Sequence, residues 1–275
     1  MMETRRLALP GSPSPVPLNP LRAGMPALDS IHQADLTVTA AGRQFRILRT
    51  TEVDAYESTP TAMALRRALS GARTPAPAKI AAALAPKAPT GDRFAGTARK
   101  AAKLSIGTGT VEPFGDLQPL ITYLPADEDM IDHHPPINTT AGSKRATEER
   151  RNVRIKAFLY AASRESDNDF HLIIGRDPDR TPELYMTAEV SGLPPKSAPS
   201  FGQLSTARTS FTGFFGANLP DFSYDFYDPP IPVTLEGSLF FDMSHSSGQR
   251  PGPASLKSRM PTIWEVHPIT DIALG

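Results

Sequence analysis

The sequence predicts a mainly β protein. Its second half reads as a small five-stranded barrel with one helix between the third and fourth strands. Three observations carry this reading. Residues 150–275 hold five β-type segments separated by turn-rich stretches. Apolar side chains alternate along those segments, which places them on one face of each strand. One longer segment, 200–216, instead repeats Leu204, Ala207, Phe211, Phe214 and Phe215 at helical spacing.

Taken in order, the chain opens on a proline-rich stretch, 1–30, with Pro10, Pro13, Pro15, Pro17 and Pro20. Too few large apolar groups are present to order it, so a disordered tail is expected, and Met25 is a second candidate start. Residues 31–73 read as a hairpin plus a helix. Leu36-Thr37-Val38-Thr39 alternates, residues 40–43 turn, and 44–49 returns. A lone hairpin is marginal, so it must pack on something. Residues 61–69 carry Met63, Leu65 and Leu69 at helical spacing, with Gly71 as the stop. The Ala/Pro/Lys-rich stretch 74–92 reads as a flexible linker. Residues 93–149 form an N-terminal extension of the barrel domain. Within it, 98–104 suits a helix and 117–124 a short strand. His133-His134-Pro135-Pro136 suits a loop, and 143–151 a charged, solvated helical face.

The barrel strands are placed at 153–160, 169–176, 184–190, 231–243 and 262–272. Gly237 marks a bulge in the fourth and Pro268 an interruption in the fifth. Three strands, a helix and two strands is the element order of the OB-fold. In that layout the third strand lies between the second and the fifth. Phe170, Leu172, Ile174, Met186, Ala188, Val190, Trp264 and Val266 then point inward. Asp169, His171, Tyr185, Thr187, Glu189, Glu265 and His267 fall on the outer surface.

These strands carry a set of short motifs: Asp167-x-Asp169-x-His171-Leu172, Met186-x-x-Glu189, Gly237-x-x-Phe240-Phe241-Asp242 with His245, and Trp264-Glu265-Val266-His267-Pro268. Together they resemble a widespread set of uncharacterised bacterial OB-like proteins, over about residues 150–275. That resemblance implies no established reaction. A fainter resemblance is to staphylococcal-nuclease-like OB domains, which also place an acidic turn after the first strand. Those enzymes use further carboxylates and two arginines, whereas 184–190 holds no arginine.

Composition narrows the function classes. The chain has 275 residues, no net charge, 39% hydrophobic residues and 29 prolines, so part of it is expected to stay unpacked. Zero net charge gives no global attraction to nucleic acid or anionic lipid. Residues 150–275 carry 12 basic and 14 acidic side chains, net −2, which argues against a phosphate-tracking groove. Cysteine is absent, excluding disulfide and thiolate chemistry. No apolar run approaches the roughly 18 residues of a membrane helix, and the N-terminus lacks an apolar signal core. No membrane partner is expected, a cytoplasmic location is, and a protein partner stays open.

The candidate binding residues are Asp167, Asp169, His171, Glu189, Glu265 and His267. Of these, Asp169, His171, Glu189 and His267 are types that would hold divalent Mn, Fe or Zn. Such an ion could activate water for phosphoester hydrolysis. The blander alternative is that Asp167 and Asp169 shape a turn while the histidines bond neighbouring carboxylates and backbone. The favoured expectation is this second one: a non-enzymatic binding or interaction module with no cofactor. A metal-dependent phosphodiesterase or nuclease comes next. Single-stranded nucleic-acid binding through Trp264, Phe240 and Phe241 follows. No catalytic residue is assigned. A Ser–His pair around His245 lacks a nucleophile turn and an orienting acid, and His133-His134 is isolated.

Overall fold

A computed structural model describes residues 24–54, 91–247 and 250–275. The tail over 1–23, the helix expected at 61–69 and the linker over 74–90 lie outside the described residues. Residues 24–30, placed in the tail by composition, include one 3-10 turn at Leu28–Ser30 with Ser30 buried.

Among the described residues the fold is mainly β: a mixed sheet of eight strands, β1 Ile31–Ala40, β2 Arg43–Thr50, β3 Val111–Phe114, β4 Asn152–Arg164, β5 Phe170–Gly175, β6 Tyr185–Val190, β7 Asp225–Phe241 and β8 Trp264–Leu274. The sheet order is β1-β2-β7-β8-β6-β5-β4-β3, and β4 also pairs with β7. The helices are α1 Lys100–Lys103, α2 Leu117–Tyr123, α3 Asp127–Ile131 and α4 Phe201–Phe215. A plain five-strand barrel is therefore corrected. The five predicted strands are present, but the N-terminal hairpin and the short β3 extend the same sheet.

The hairpin joins because β2 presents an edge that β7 completes. Arg46 to Arg49 pair antiparallel with Asp228 to Asp225, and Arg46 donates to the Asp228 carboxylate at 2.6 Å. Its turn has Ala41 and Gly42 at φ of 47° and 75°. Two positive φ values make the tight hairpin turn whose twist matches the flanking strands. Gly237 does mark a bulge in β7: the register with β8 shifts on both sides of it. A Cβ there would come within 2.5 Å of the Pro268 carbonyl oxygen, so only glycine fits.

The predicted inward residues are one core. Phe170, Leu172, Ile174, Met186, Ala188, Val190, Trp264 and Val266 pack with Ala207, Phe211 and Phe215 of α4. The Phe170 and Phe211 rings sit 4.9 Å apart. The opposite face is corrected: it is not an outer surface. Asp169, His171, Tyr185, Thr187, Glu189, Glu265 and His267 are all buried. Tyr185 and Ile173 belong to a second apolar cluster with Tyr160, Leu48, Leu256 and Met260.

Two further expectations change. Residues 117–124 are helix α2, not strand. Asp116 caps the helix by accepting from the Gln118 N–H, and Pro119 lies in the first turn, where its missing donor costs nothing. Residues 143–151 are not a solvated helix. They hold one 3-10 turn at Glu148–Arg150, and Arg145 and Glu149 are buried. Arg145 donates to the carbonyls of Ser105, Leu239 and His267, and so clamps the extension onto β7 and β8. No helix among the described residues is long and apolar enough to cross a membrane.

Two predictions follow from this packing. Trp264 is fully buried, edge-on to Phe241, with its indole N–H bonded to the Pro125 carbonyl at 3.0 Å. Trp264→Ala should cost about 3–5 kcal/mol in urea unfolding. Asp225, on β7, is pushed up to about 8 by burial, which Arg49 only partly offsets. The folded chain then holds a proton that the unfolded chain releases at about pH 4. Stability should fall as pH rises from about 4 to 8, by at most about 1.4 kcal/mol per pH unit. Asp225→Asn should flatten that slope, measured by denaturation at a series of pH values.

Candidate functional site

The site is the buried polar layer beside the core, and strand register assembles it. His171 on β5 pairs directly with Glu189 on β6. Glu265 on β8 pairs with Thr187 of β6 on one side and with Phe240 of β7 on the other. His267 follows two residues later on the same face. The predicted order, with β6 between β5 and β8, is the observed one.

The turn before β5 sets Asp169. Asn168 takes a left-handed backbone at φ 78°, a conformation that asparagine tolerates better than most residues. Its side chain is gripped by Arg164 and Arg208. Asp167 accepts from the Asp169 N–H, so it shapes the turn as expected. Asp169 accepts from the Gly192 N–H through Oδ1, and its Oδ2 lies 3.4 Å from His267 Nε2.

His171 is the most informative group. Its Nδ1 bonds the Glu165 carboxylate at 2.7 Å. Tyr224 Oη lies 3.3 Å from that nitrogen and Asp54 Oδ2 lies 3.8 Å from it. Its Nε2 is buried and has no hydrogen-bond partner. Burial works to lower its pKa, but Glu165 outweighs this and pushes it up to about 10. Burial also pushes the Glu165 carboxyl up to about 8.

The remaining donors are also unsatisfied. Both oxygens of Glu265, both ring nitrogens of His267, Glu189 Oε2 and Asp169 Oδ2 are buried without a hydrogen bond. His267 Nδ1 does lie 2.7 Å from Glu189 Oε2. That is ion-pair range. The ligand-type atoms of His171, Glu189 and Glu265 lie within 4.8 Å of one another, as do those of Asp169, Glu189 and His267. The expectation that the histidines meet neighbouring carboxylates holds at His171–Glu165 and at His267–Glu189, while His171 Nε2 and both Glu265 oxygens have no hydrogen bond.

Charge is lopsided. Asp54, Glu165, Asp167, Asp169, Glu189, Asp242 and Glu265 face Lys103 and the histidines His171, His245 and His267. Lys103 Nζ is 3.5 Å from Asp167 and 3.8 Å from Glu189. Burial opposes its charge, yet the surrounding carboxylates hold its pKa well above the usual value. Burial likewise opposes ionisation of Glu189, while His267 and Lys103 hold its pKa well below the usual carboxylate range. Burial raises Asp169 and Glu265, and the acids beside them add to it.

No protein-family model, curated protein or solved structure matches the chain. The chemistry of the residues therefore carries the functional reading.

All six predicted binding residues are in or beside this layer, with Asp167 at its rim. Sequence reasoning missed Glu165, Lys103, Tyr224, Asp54 and Asp242. Only Asp242 left a signal: Asp242-x-x-His245 is the spacing that puts two side chains together on one helical turn. His245 Nε2 indeed faces Asp242 Oδ2 at 3.5 Å. Nearby Ser246 Oγ donates to the Met243 carbonyl. His133 bonds Pro135 and Glu148 and is no part of the cluster. Trp264, Phe240 and Phe241 are fully buried, so they are core and present no ring to a base.

Among the described residues, Lys103 is the one fixed cation facing these carboxylates. Lys103→Met should lower the stability of chelator-treated protein by about 3–5 kcal/mol, the usual result of leaving buried acids uncompensated. Urea midpoints of the variant and the parent chain measure it.

Proposed function

We propose that this protein is a non-enzymatic metal-ion-binding module, its divalent ion held inside an OB-like barrel. The barrel reading is supported by strand pairing. β4, β5, β6, β8 and β7 pair in a cycle that returns to β4, with β6 and β8 parallel and α4 lying between β6 and β7 in the chain. That is the connectivity expected of an OB-fold.

One observation carries the metal reading: the buried, partnerless Nε2 of His171. If the ring is protonated, Nε2 is a donor without an acceptor. If it is neutral with its proton on Nδ1, toward Glu165, Nε2 is a lone pair without a donor. Either state costs about 1–3 kcal/mol when buried, and a metal removes the cost. A carboxylate on the far ring nitrogen is the usual second partner of a metal-bound histidine. Glu189 and Glu265 converge on the same point and supply negative charge that a divalent ion neutralises. Carboxylate and imidazole together suit Mn, Fe or Zn.

Burial favours an ion over a larger substrate. The donor atoms of His171, Glu189, Glu265 and His267 are enclosed, so a phosphodiester chain cannot reach them. A surface cavity of about 310 Å³ lies instead against Asp116, Lys156, Arg176 and Arg180, and none of the donor residues lines it. This ranks ion binding above phosphoester hydrolysis. Nucleic-acid binding ranks lower still, because the aromatic rings are interior.

The test is thermal unfolding of chelator-treated protein with added Mn²⁺ or Zn²⁺. The melting temperature should rise saturably. An ion at a hundredfold its Kd stabilises by about 2.7 kcal/mol when it binds the folded chain only. His171→Ala should abolish the rise. Glu265→Gln keeps side-chain volume and gives the same answer if the alanine variant folds poorly. An unresponsive parent protein refutes the reading.

A further inference from the structure

We propose that the centre holds two metal ions bridged by the Glu265 carboxylate, one with His171 and Glu189 and the other with Asp242 and His245. This rests on the metal-binding reading above and extends it to a second ion.

The topology makes Glu265 the shared group. It lies on β8, which pairs with β6 on one edge and β7 on the other. His171 and Glu189 come from the β5–β6 side. Asp242 and His245 come from the β7 side, at the 3-10 turn Met243–His245 that follows the strand directly. The ligand-type atoms of Asp242, His245 and Glu265 lie within 4.8 Å of one another, as do those of His171, Glu189 and Glu265. One carboxylate thus belongs to both sets.

Glu265 is also built for that use. It is fully buried, and neither of its oxygens accepts a hydrogen bond. A carboxylate can serve one ion through a single oxygen or through both. Two orphaned oxygens, with a different ligand set on either side, match a bridge between ions about 3.5–4 Å apart. Asp242 is oriented for the second position. Its Oδ1 accepts from the Ser244 N–H and fixes the turn, while Oδ2 faces His245 Nε2 at 3.5 Å.

The third convergent set, Asp169, Glu189 and His267, needs no ion. Both ring nitrogens of His267 face carboxylates, Glu189 at 2.7 Å and Asp169 at 3.4 Å. Arg145 holds the His267 carbonyl at 2.7 Å, which keeps the ring in place. The stoichiometry is therefore two and not three.

The experiment counts ions. Full-length protein is stripped with chelator, reloaded with Mn²⁺, freed of excess by gel filtration, and analysed for metal per chain. Two ions are expected, with an electron-paramagnetic-resonance spectrum showing exchange coupling. The double variant Asp242→Asn, His245→Gln should retain one ion and show an uncoupled spectrum. One ion in the parent chain, or two ions without coupling, overturns the dinuclear centre and leaves the metal-binding reading standing. No retained ion overturns both. Two ions persisting in the folded double variant would place the second ion elsewhere and overturn this assignment. The parent spectrum decides the matter alone if the variant does not fold.

Discussion

Taking a carboxylate out of water costs several kcal/mol unless a partner of opposite charge meets it inside. This chain takes Asp169, Glu189, Asp242 and Glu265 out of water together. Everything around them is arranged to make that tolerable. Lys103 reaches in from α1, His267 stands between Glu189 and Asp169, and Glu165 backs His171 from the far side. Among the described residues the compensation is incomplete, since the carboxylates outnumber the cations. The remainder is negative charge aimed inward at a common point, which is the electrostatic requirement for holding a cation rather than for a core that merely closes.

The segment before β4 has its main role here. Lys103 reaches the cluster because α1 is anchored by the preceding Arg99, which makes a two-pronged ion pair with Glu149 at 2.6 and 2.7 Å and also donates to the Phe241 carbonyl. Glu149 accepts in turn from the Phe241 N–H, at the end of β7. A buried guanidinium with a matching carboxylate is directional, so it sets where α1 sits. Arg145 does the same between Ser105 and the two strands β7 and β8. The extension thus covers the polar layer and also supplies its fixed cation.

Alternation made strands β4 to β8 and their apolar faces legible. Phe170, Leu172, Ile174, Trp264 and Val266 were assigned inward by period two alone, and they are core. The same period put His171 with Asp169, and His267 with Glu265, on one shared face. What it could not say is what lies over that face. Alternating polar residues ordinarily mark solvent, and no local pattern distinguishes a wet face from a polar layer capped by another part of the chain. The cap is made of Arg99, Lys103, Arg145 and Glu149, which as a string of mixed charge look like surface. Their burial depends on carbonyls of β7 and β8 distant in sequence. Residues 117–124 differ for another reason: their apolar content suits a strand as well as a helix, and Asp116, capping the first turn that holds Pro119, decides for the helix.

Burial on both faces has a consequence for how firmly the sheet is specified. Sliding a strand by one residue exchanges its two faces. In a sheet with one wet face, such a slip exposes apolar groups. In β5, β6 and β8 it would also drive His171, Glu189 and Glu265 into the packed cluster of Phe170, Leu172 and Val266, where no polar partner awaits them. Both halves of the penalty act on the same register. The polar layer that is costly to bury therefore helps fix the alignment that brings its own donor atoms together. A site assembled from three strands can be held to that geometry without a rigid loop, because the core on the other side of each strand enforces it.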